Sequence, residues 1–313
     1  MNMLPPAIAM FTSILKKEGH SIDIFDTTYY SVDHGIDSDG SKMEKLNVVP
    51  YSMESKGIRL KSSDWKKDIA EKVKKFRPDL IAISSTEDMW ELGMRVLEEI
   101  KDYKIKNKTP VIAGGVFPTF APDLCIKNEL VDIVCVGEGE NALIDLSKKI
   151  ENNEDYSDVT NCWIKKNGEV IKKNSITKPV DINKNPIIDI SQFEENRLYR
   201  PMAGKVYKMI PIETIRGCPF TCRFCNSPDQ MAFYKGLGHN YYRKKKMDLV
   251  LEELKHFKEF HNFNICNFGS SKKVMQKFKF NIQKAKKIIS KKKDAKFNNY
   301  LIKNSSPVKT KFG

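Results

Sequence analysis

Three cysteines, Cys218, Cys222 and Cys225, fall within the stretch Arg216-Gly217-Cys218-Pro219-Phe220-Thr221-Cys222-Arg223-Phe224-Cys225-Asn226. Their spacing is Cys-x3-Cys-x2-Cys, with an aromatic residue just before the third. Three thiolates can hold three irons of a 4Fe–4S cluster, where four cysteines are the usual complement, and the fourth iron is then open to another ligand. The competing chemistry is zinc, which requires a fourth nitrogen or sulfur ligand in tetrahedral geometry. His239 and His256 are the nearest downstream histidines, and neither sits in a Cys/His-spaced pair. The spacing favours the cluster. No residue is singled out as a catalytic acid, base or nucleophile.

The elements that must position this loop follow from periodicity. Ala7, Met10, Phe11, Ile14 and Leu15 recur at helical spacing, with Pro6 suited to the first turn and Gly19 to the stop. Ile22-Asp23-Ile24-Phe25 reads as a short strand, and residues 33–60 show no clear period. Trp65, Ile69, Val73 and Phe76 make a second helical stripe ended by Arg77-Pro78. Leu80–Ser84 reads as a buried strand, and Trp90, Met94, Leu97 and Ile100 as a third helix. Val111-Ile112-Ala113 and Ile133–Val136 are further strands, the last followed by Gly137-Glu138-Gly139-Glu140 and a helix through Ile150. Short apolar strands alternating with amphipathic helices predict an α/β fold, a parallel sheet covered on both faces. Ligands of such sheets sit at the carboxyl ends of the strands. Those ends carry Ser84-Ser85-Thr86, Gly114-Gly115 and Gly137-Glu138-Gly139. Glycine there admits a bulky ligand close to the backbone, and serves equally as a plain turn.

Charge and cysteine usage narrow the class. Residues 271–313 hold fourteen lysines against one acid, Asp294, so nearly all of the net charge of +14 is a property of that tail. The body is almost neutral, which argues against nucleic acid as the partner and leaves the tail as a solvated or disordered run. Cys125, Cys135, Cys162 and Cys266 are scattered singly, as buried apolar residues rather than a disulfide framework. No run approaches the ~18 apolar residues of a membrane helix, and the start lacks a signal-peptide pattern. The expectation is a cytoplasmic protein with no membrane partner.

The order of these segments, from Leu4-Pro5-Pro6 through Leu15–His20, Pro78–Ile81, Gly114–Thr119 and Gly137–Glu140 to the cysteine loop, resembles the cobalamin-binding-domain-containing radical SAM family. The resemblance implies a Rossmann-like cobalamin-binding domain followed by a radical SAM (β/α) barrel. In that family S-adenosylmethionine binds the open iron and is split to a 5′-deoxyadenosyl radical, with electrons from a donor such as flavodoxin or ferredoxin. By the same resemblance Ser84, Thr86, Gly114 and Gly115 would line the nucleotide tail of cobalamin, Glu138 would lie near the corrin edge, and Phe224 would pack beside the adenine. The Asp-x-His-x-x-Gly motif that supplies a cobalt-ligating histidine is absent.

Domain boundaries are expected at 1–150 for the cobalamin-binding-like domain, 151–205 for a linker, 206–270 for the start of the barrel, and 271–313 for the Lys-rich tail. Within the linker, Trp163–Ile171 alternates around Asn167-Gly168, a type I′ hairpin signal. Met209–Ile215 reads as the first barrel strand, Tyr241–Lys244 as the start of a helix through Phe257, and Asn264–Phe268 as a second strand. Phe268-Gly269-Ser270-Ser271 departs from the Gly-Gly-Glu or paired acids that hold SAM in the family. A full barrel takes ~250 residues, and the chain reads as cut short at both ends. The expected function is radical methyl transfer or cyclisation of a small molecule, with a 4Fe–4S cluster, SAM and cobalamin as cofactors. The alternative is a catalytically inactive cobalamin and iron–sulfur binding module.

Overall fold

The structure, a computed structural model, describes residues 4–31, 49–261 and 265–268, all within the unit Met1–Phe268. The Lys-rich tail expected at 271–313 lies outside the described residues.

Helix α1 (Pro6–Lys17) starts where the sequence places it. Pro5 is extended, Pro6 occupies the first turn, and Gly19 leaves the helix with φ +95°. Three parallel strands follow, β1 (Ile81–Ser84), β2 (Val111–Gly114) and β3 (Ile133–Cys135), adjacent in that order. The register sets Ile81 against Val111 and Ile112 against Ile133. Side chains alternate across this sheet, so β2 and β3 feed two cores at once. Ile112, Ile133 and Cys135 pack beneath α7 (Glu140–Glu151) and α1, on Ala142, Leu143, Leu146 and Phe11. Val111, Ala113 and Val134 face the opposite layer, which includes α2 (Trp65–Phe76), α3 (Glu87–Glu98) and α6 (Pro122–Lys127). Burial on both faces is why these strands read as continuous apolar runs. The short helices α4 (Lys101–Asn107) and α5 (Val116–Phe120) complete the crossovers.

The hairpin read in the 151–205 stretch extends this sheet. Strands β4 (Cys162–Lys166) and β5 (Glu169–Lys173) add antiparallel to β3. Asn167 and Gly168 turn the chain with φ of 54° and 83°, the two positive values that a type I′ turn requires.

The second half begins with β6 (Tyr199–Met202) and β7 (Lys205–Ile212), paired antiparallel. Strand β10 (Ile265–Phe268) joins β7 in parallel, with Ile265 opposite Met209. Between them, β8 (Ile215–Arg216) and β9 (Arg243–Lys244) pair antiparallel at the root of the cysteine loop. Helix α8 (Ser227–Gly236) lies inside that loop, and α9 (Met247–His261) packs on β7 with Val250 and Phe257 buried. Parallel β7 and β10 with an intervening helix form the start of a β/α barrel. Among the described residues, no helix is long and apolar enough to cross a membrane.

Three sequence expectations need correction. Ile22–Phe25 forms no strand ladder; the nearest bridge is Tyr30 with Lys61, and Phe25 instead sets its ring 5.6 Å from that of Tyr30. Apolar alternation over four residues reports burial, but a strand also needs a paired neighbour. Strand β1 is only half-buried, with Ala82 and Ser84 exposed, because it is the edge of the described sheet. Tyr241–Lys244 does not begin a helix, which starts at Met247. Tyr241 and Arg243 are committed to tertiary contacts, described below, that override helical propensity.

Candidate functional site

A cavity of about 380 Å³ opens at the carboxyl ends of β1 to β3. One wall is the amino-terminal half of α1, including Ala7, Met10 and Phe11; Ser84, Gly114 and Gly115 form the strand-end floor. The facing wall comes from the second half of the chain and includes Glu213, Arg216, Gln230, Tyr234 and Tyr241. Largely apolar walls with a few convergent polar groups are the usual character of small-molecule sites.

Two glycines are required here by geometry. Gly115 has φ +105°, and a Cβ on it would come within 2.7 Å of the Ser85 carbonyl oxygen. Its role is therefore the turn itself. Gly137 has φ +89°, and a Cβ would meet the Tyr234 hydroxyl at 2.7 Å. Its absence lets that hydroxyl accept a hydrogen bond from Glu138 N at 3.0 Å. Gly114 is different: a Cβ there would make an ordinary 3.7 Å contact with Cys135 Cβ.

The two halves are joined by an ion network around the Gly137–Glu140 turn. Arg216 donates from Nε to Glu213 Oε1 at 2.7 Å and from Nη1 to Glu140, and lies 3.3 Å from Glu138 Oε1. Arg243 donates to both carboxylate oxygens of Glu138, at 2.9 Å to Oε2, and to the Val180 carbonyl at 2.6 Å. Val180 N donates to Glu138 Oε2 at 2.8 Å. Burial pushes the Glu138 carboxyl up, but the Arg243 hydrogen bonds and the Arg216 charge outweigh it and hold the group below its ordinary value. Burial likewise works against charge on Arg216, yet Glu140, Glu213 and Glu138 drive its pKa upward. Tyr241 stacks on Tyr234 with ring centroids 5.0 Å apart and planes 5° apart, and its hydroxyl donates to Gln230.

This network fixes the base of the cysteine loop. Arg216 and Arg243 are register partners across β8 and β9, so they close the two ends of residues 217–242. Gly217 turns with φ +85° beneath Tyr241, whose carbonyl oxygen would lie 2.6 Å from a Cβ. The loop then carries Cys218, half-buried, and Cys222 and Cys225, exposed, all as free thiols. Ser227 N, at the start of α8, donates to Cys225 Sγ at 3.4 Å. The donor set suits an iron–sulfur cluster in type and in placement on one accessible loop. Among the described residues, no group of three His, Cys, Asp or Glu side chains is gathered closely enough to hold a metal ion.

Of the residues singled out from sequence, Ser84, Gly114, Gly115 and Glu138 come together in the cavity lining. Thr86 does not; it precedes α3 and its hydroxyl donates to Asp88. Phe224 is 94% exposed and does not line the cavity. Arg243, Tyr234, Tyr241 and Glu213 were missed by sequence reasoning. The one signal for them was the acid pair Glu138 and Glu140, which would need cations once buried.

The fold and site define a protein with a B12-binding type of α/β domain, its strand ends clasped to a cysteine loop at the start of a β/α barrel. Residues 47–147 match the family model described as the B12 binding domain. The chain thus carries a B12-binding domain, and the proteins it is similar to include cobalamin-dependent radical SAM enzymes. It is 29% identical over 192 residues to an uncharacterized methyltransferase of Pyrococcus horikoshii, covering 60% of this chain and 38% of that protein. Among solved structures, the radical SAM methyltransferase TsrM of Kitasatospora setae with cobalamin and a [4Fe–4S] cluster bound aligns with TM-score 0.55 at 16% identity. The alignment covers 93% of this chain and 48% of TsrM. The cobalamin-dependent radical enzyme OxsB, with aqua-cobalamin and S-adenosylmethionine bound, aligns with TM-score 0.58 at 17% identity, over 86% of this chain and 31% of OxsB. These two likenesses are of fold. The chain spans 31% to 48% of the length of these proteins.

Proposed function

We propose that this chain binds cobalamin in the strand-end cavity and a 4Fe–4S cluster on Cys218, Cys222 and Cys225, and serves radical SAM methyl transfer to a small molecule, with cyclisation as the alternative outcome. The observation that carries this reading is Arg216. It stands two residues before Cys218, lines the cavity and bonds Glu140 of the strand-end turn, so cavity and cysteine loop share one wall. When bound, the cluster would supply the electron that cleaves SAM, and cobalamin would carry the methyl group. The chain's own part is positional. Ser84, Gly114 and Gly115 form the floor, Glu138 holds the two arginines, and exposed Phe224 is free to cover a ligand of the cluster. Residues 1–150 are assigned to the cobalamin module, 151–205 to a connector that completes its sheet, and 206–270 to the barrel start. A flavodoxin or ferredoxin is proposed as the electron donor.

The test has two arms. Anaerobic reconstitution should give about four irons per chain with broad absorption near 400 nm, and Cys222→Ala should abolish both. One tightly held zinc and no iron would overturn the assignment. Hydroxocobalamin should co-elute with the wild-type chain. Ser84→Trp, which fills the cavity from an exposed position without straining a turn, should lose it, whereas Gly114→Ala should retain it. Equal retention by Ser84→Trp would place the ligand elsewhere. A second reading, a binding module without turnover, is favoured by the exposed, ungathered thiols. Production of 5′-deoxyadenosine from SAM by the reconstituted chain with dithionite would exclude it.

A further inference from the structure

Cys135 and Cys162 were given no role above, yet they face each other across two neighbouring strands of the sheet. They are register partners on antiparallel β3 and β4. Their backbone spacing follows from the ladder. Val136 N donates to the Asn161 carbonyl in the pair next to the cysteines, and Lys165 N to that of Asp132 three pairs away on the other side, so both of those pairs are the hydrogen-bonded kind. Pairs alternate along an antiparallel ladder, which makes Cys135–Cys162 a non-hydrogen-bonded pair. The backbone of Cys162 agrees: its N–H donates to Val159 and its carbonyl accepts from Asn174. Opposed residues of that kind have Cα atoms about 4.5 Å apart with side chains on the same face. A disulfide spans Cα separations of roughly 4.4–6.8 Å.

The surroundings favour one thiol as the point of entry. Cys162 is fully buried, in the core under α7. Cys135 is nearly so, but it belongs to the lining of the strand-end cavity, behind Gly139 and beside Gly114. A water-sized oxidant in the cavity therefore reaches Cys135 and not Cys162. Cys125, also a buried free thiol, belongs to the opposite face of the sheet and does not line the cavity.

We propose that Cys135 and Cys162 are a dithiol modification site, oxidised by hydrogen peroxide to a cross-strand disulfide in the cavity floor. Peroxide oxidises the Cys135 sulfur to the sulfenic acid and is itself reduced to water. The Cys162 sulfur then attacks the Cys135 sulfur, its proton leaves with the hydroxyl as a second water, and the S–S bond forms. Two thiols and one peroxide thus give one disulfide and two waters. Low-molecular-weight thiol reverses the reaction by exchange, entering from the cavity side. The neighbouring Cys135 thiol and burial hold the Cys162 pKa far above its ordinary value, so in the reduced pair Cys162 is a thiol.

The test uses the full chain, purified anaerobically without metal, with Cys218, Cys222 and Cys225 all changed to serine to remove competing thiols. After limiting peroxide, free thiols are blocked in denaturant and peptides are read by mass spectrometry. The expected product is a cross-linked pair of peptides carrying Cys135 and Cys162, lighter than the reduced sum by two hydrogens and restored by dithiothreitol. With Cys162→Ser added, the cross-link should vanish and Cys135 should accumulate as a dimedone-trapped sulfenic acid. A sulfenic acid on Cys135 that never resolves while Cys162 is present would overturn the proposal. So would failure of both thiols to react when a peroxide-sensitive control thiol does. A parallel arm adds hydroxocobalamin, which should slow Cys135 oxidation by filling the cavity. No slowing would count against the cobalamin reading alone, because the cross-strand pair does not depend on it.

Discussion

Arg216→Met is expected to cost about 3–5 kcal/mol of unfolding free energy at neutral pH, the usual penalty for removing one partner from a buried ionic network. The substitution keeps side-chain volume but leaves Glu140 and Glu213 without their guanidinium and Glu138 with Arg243 alone. Its location matters as much as its size. Residues 217–242 should become the first site of limited proteolysis, since the clasp at the root of that loop is what the change opens. Urea titration measures the first effect and peptide mapping the second. A loss under about 1 kcal/mol, in the range of exposed pairs, would show that water already screens the network. Acid should weaken the same clasp. Glu138 is held below its ordinary value of 4.5 in the folded chain, so the unfolded chain takes up that proton first as pH falls. The Glu138 contribution is full above that ordinary value and fades as pH drops through the lower folded one. Glu138→Gln should remove this part of the acid sensitivity.

Lys245→Met is the second large effect, and its pH dependence runs the other way. Lys245 Nζ lies 2.7 Å from Glu253 Oε2, and the Glu253 side chain is 1% exposed. Glu253 Oε1 has no hydrogen-bond partner among the described residues. Burial pushes the Glu253 carboxyl up further than Lys245 pulls it down, so the folded chain binds that proton more tightly than the unfolded chain. Stability from this group is therefore highest at acid pH and declines as pH rises from 4.5 through the raised folded value. Removing the lysine should cost about 3–5 kcal/mol at neutral pH and much less under acid conditions, where the carboxyl is neutral. The double change Lys245→Met with Glu253→Leu should recover most of the loss, as apolar replacement of buried ion pairs commonly does. Urea unfolding of the single and double variants across pH 4 to 8 checks this, and an equal cost at both ends would refute the buried-charge account.

Much of the scaffold was legible in the chain because it rests on interactions a few residues long. Pro6 and Gly19 bound the first helix through backbone φ alone. Asn167-Gly168 sets a hairpin because both residues tolerate positive φ. The apolar runs of β2 and β3 declare burial on both faces. Where a local signal needed a distant partner, reading it alone failed. Ile22–Phe25 carries strand-like alternation but has no paired neighbour among the described residues. Tyr241–Lys244 reads as a helix start, yet the Tyr234 stack and the Glu138 ion pair hold it extended.

The sequence by itself determined the donor set of the candidate site. Cys218, Cys222 and Cys225 are confined to one loop by covalent spacing, and no fold could separate them by more than a few residues' reach. Only the tertiary structure decided what stands around that loop. Glu138 and Arg243 are 105 positions apart, and Glu140 and Arg216 are 76 apart. Cys135 and Cys162 oppose each other only because of the register between β3 and β4. Ion pairs and cross-strand pairs depend on which face a residue presents and on what another segment brings to it. A one-residue slip in strand register reverses every such face. That choice is made by packing the whole core, and it leaves no mark within any single stretch of the chain.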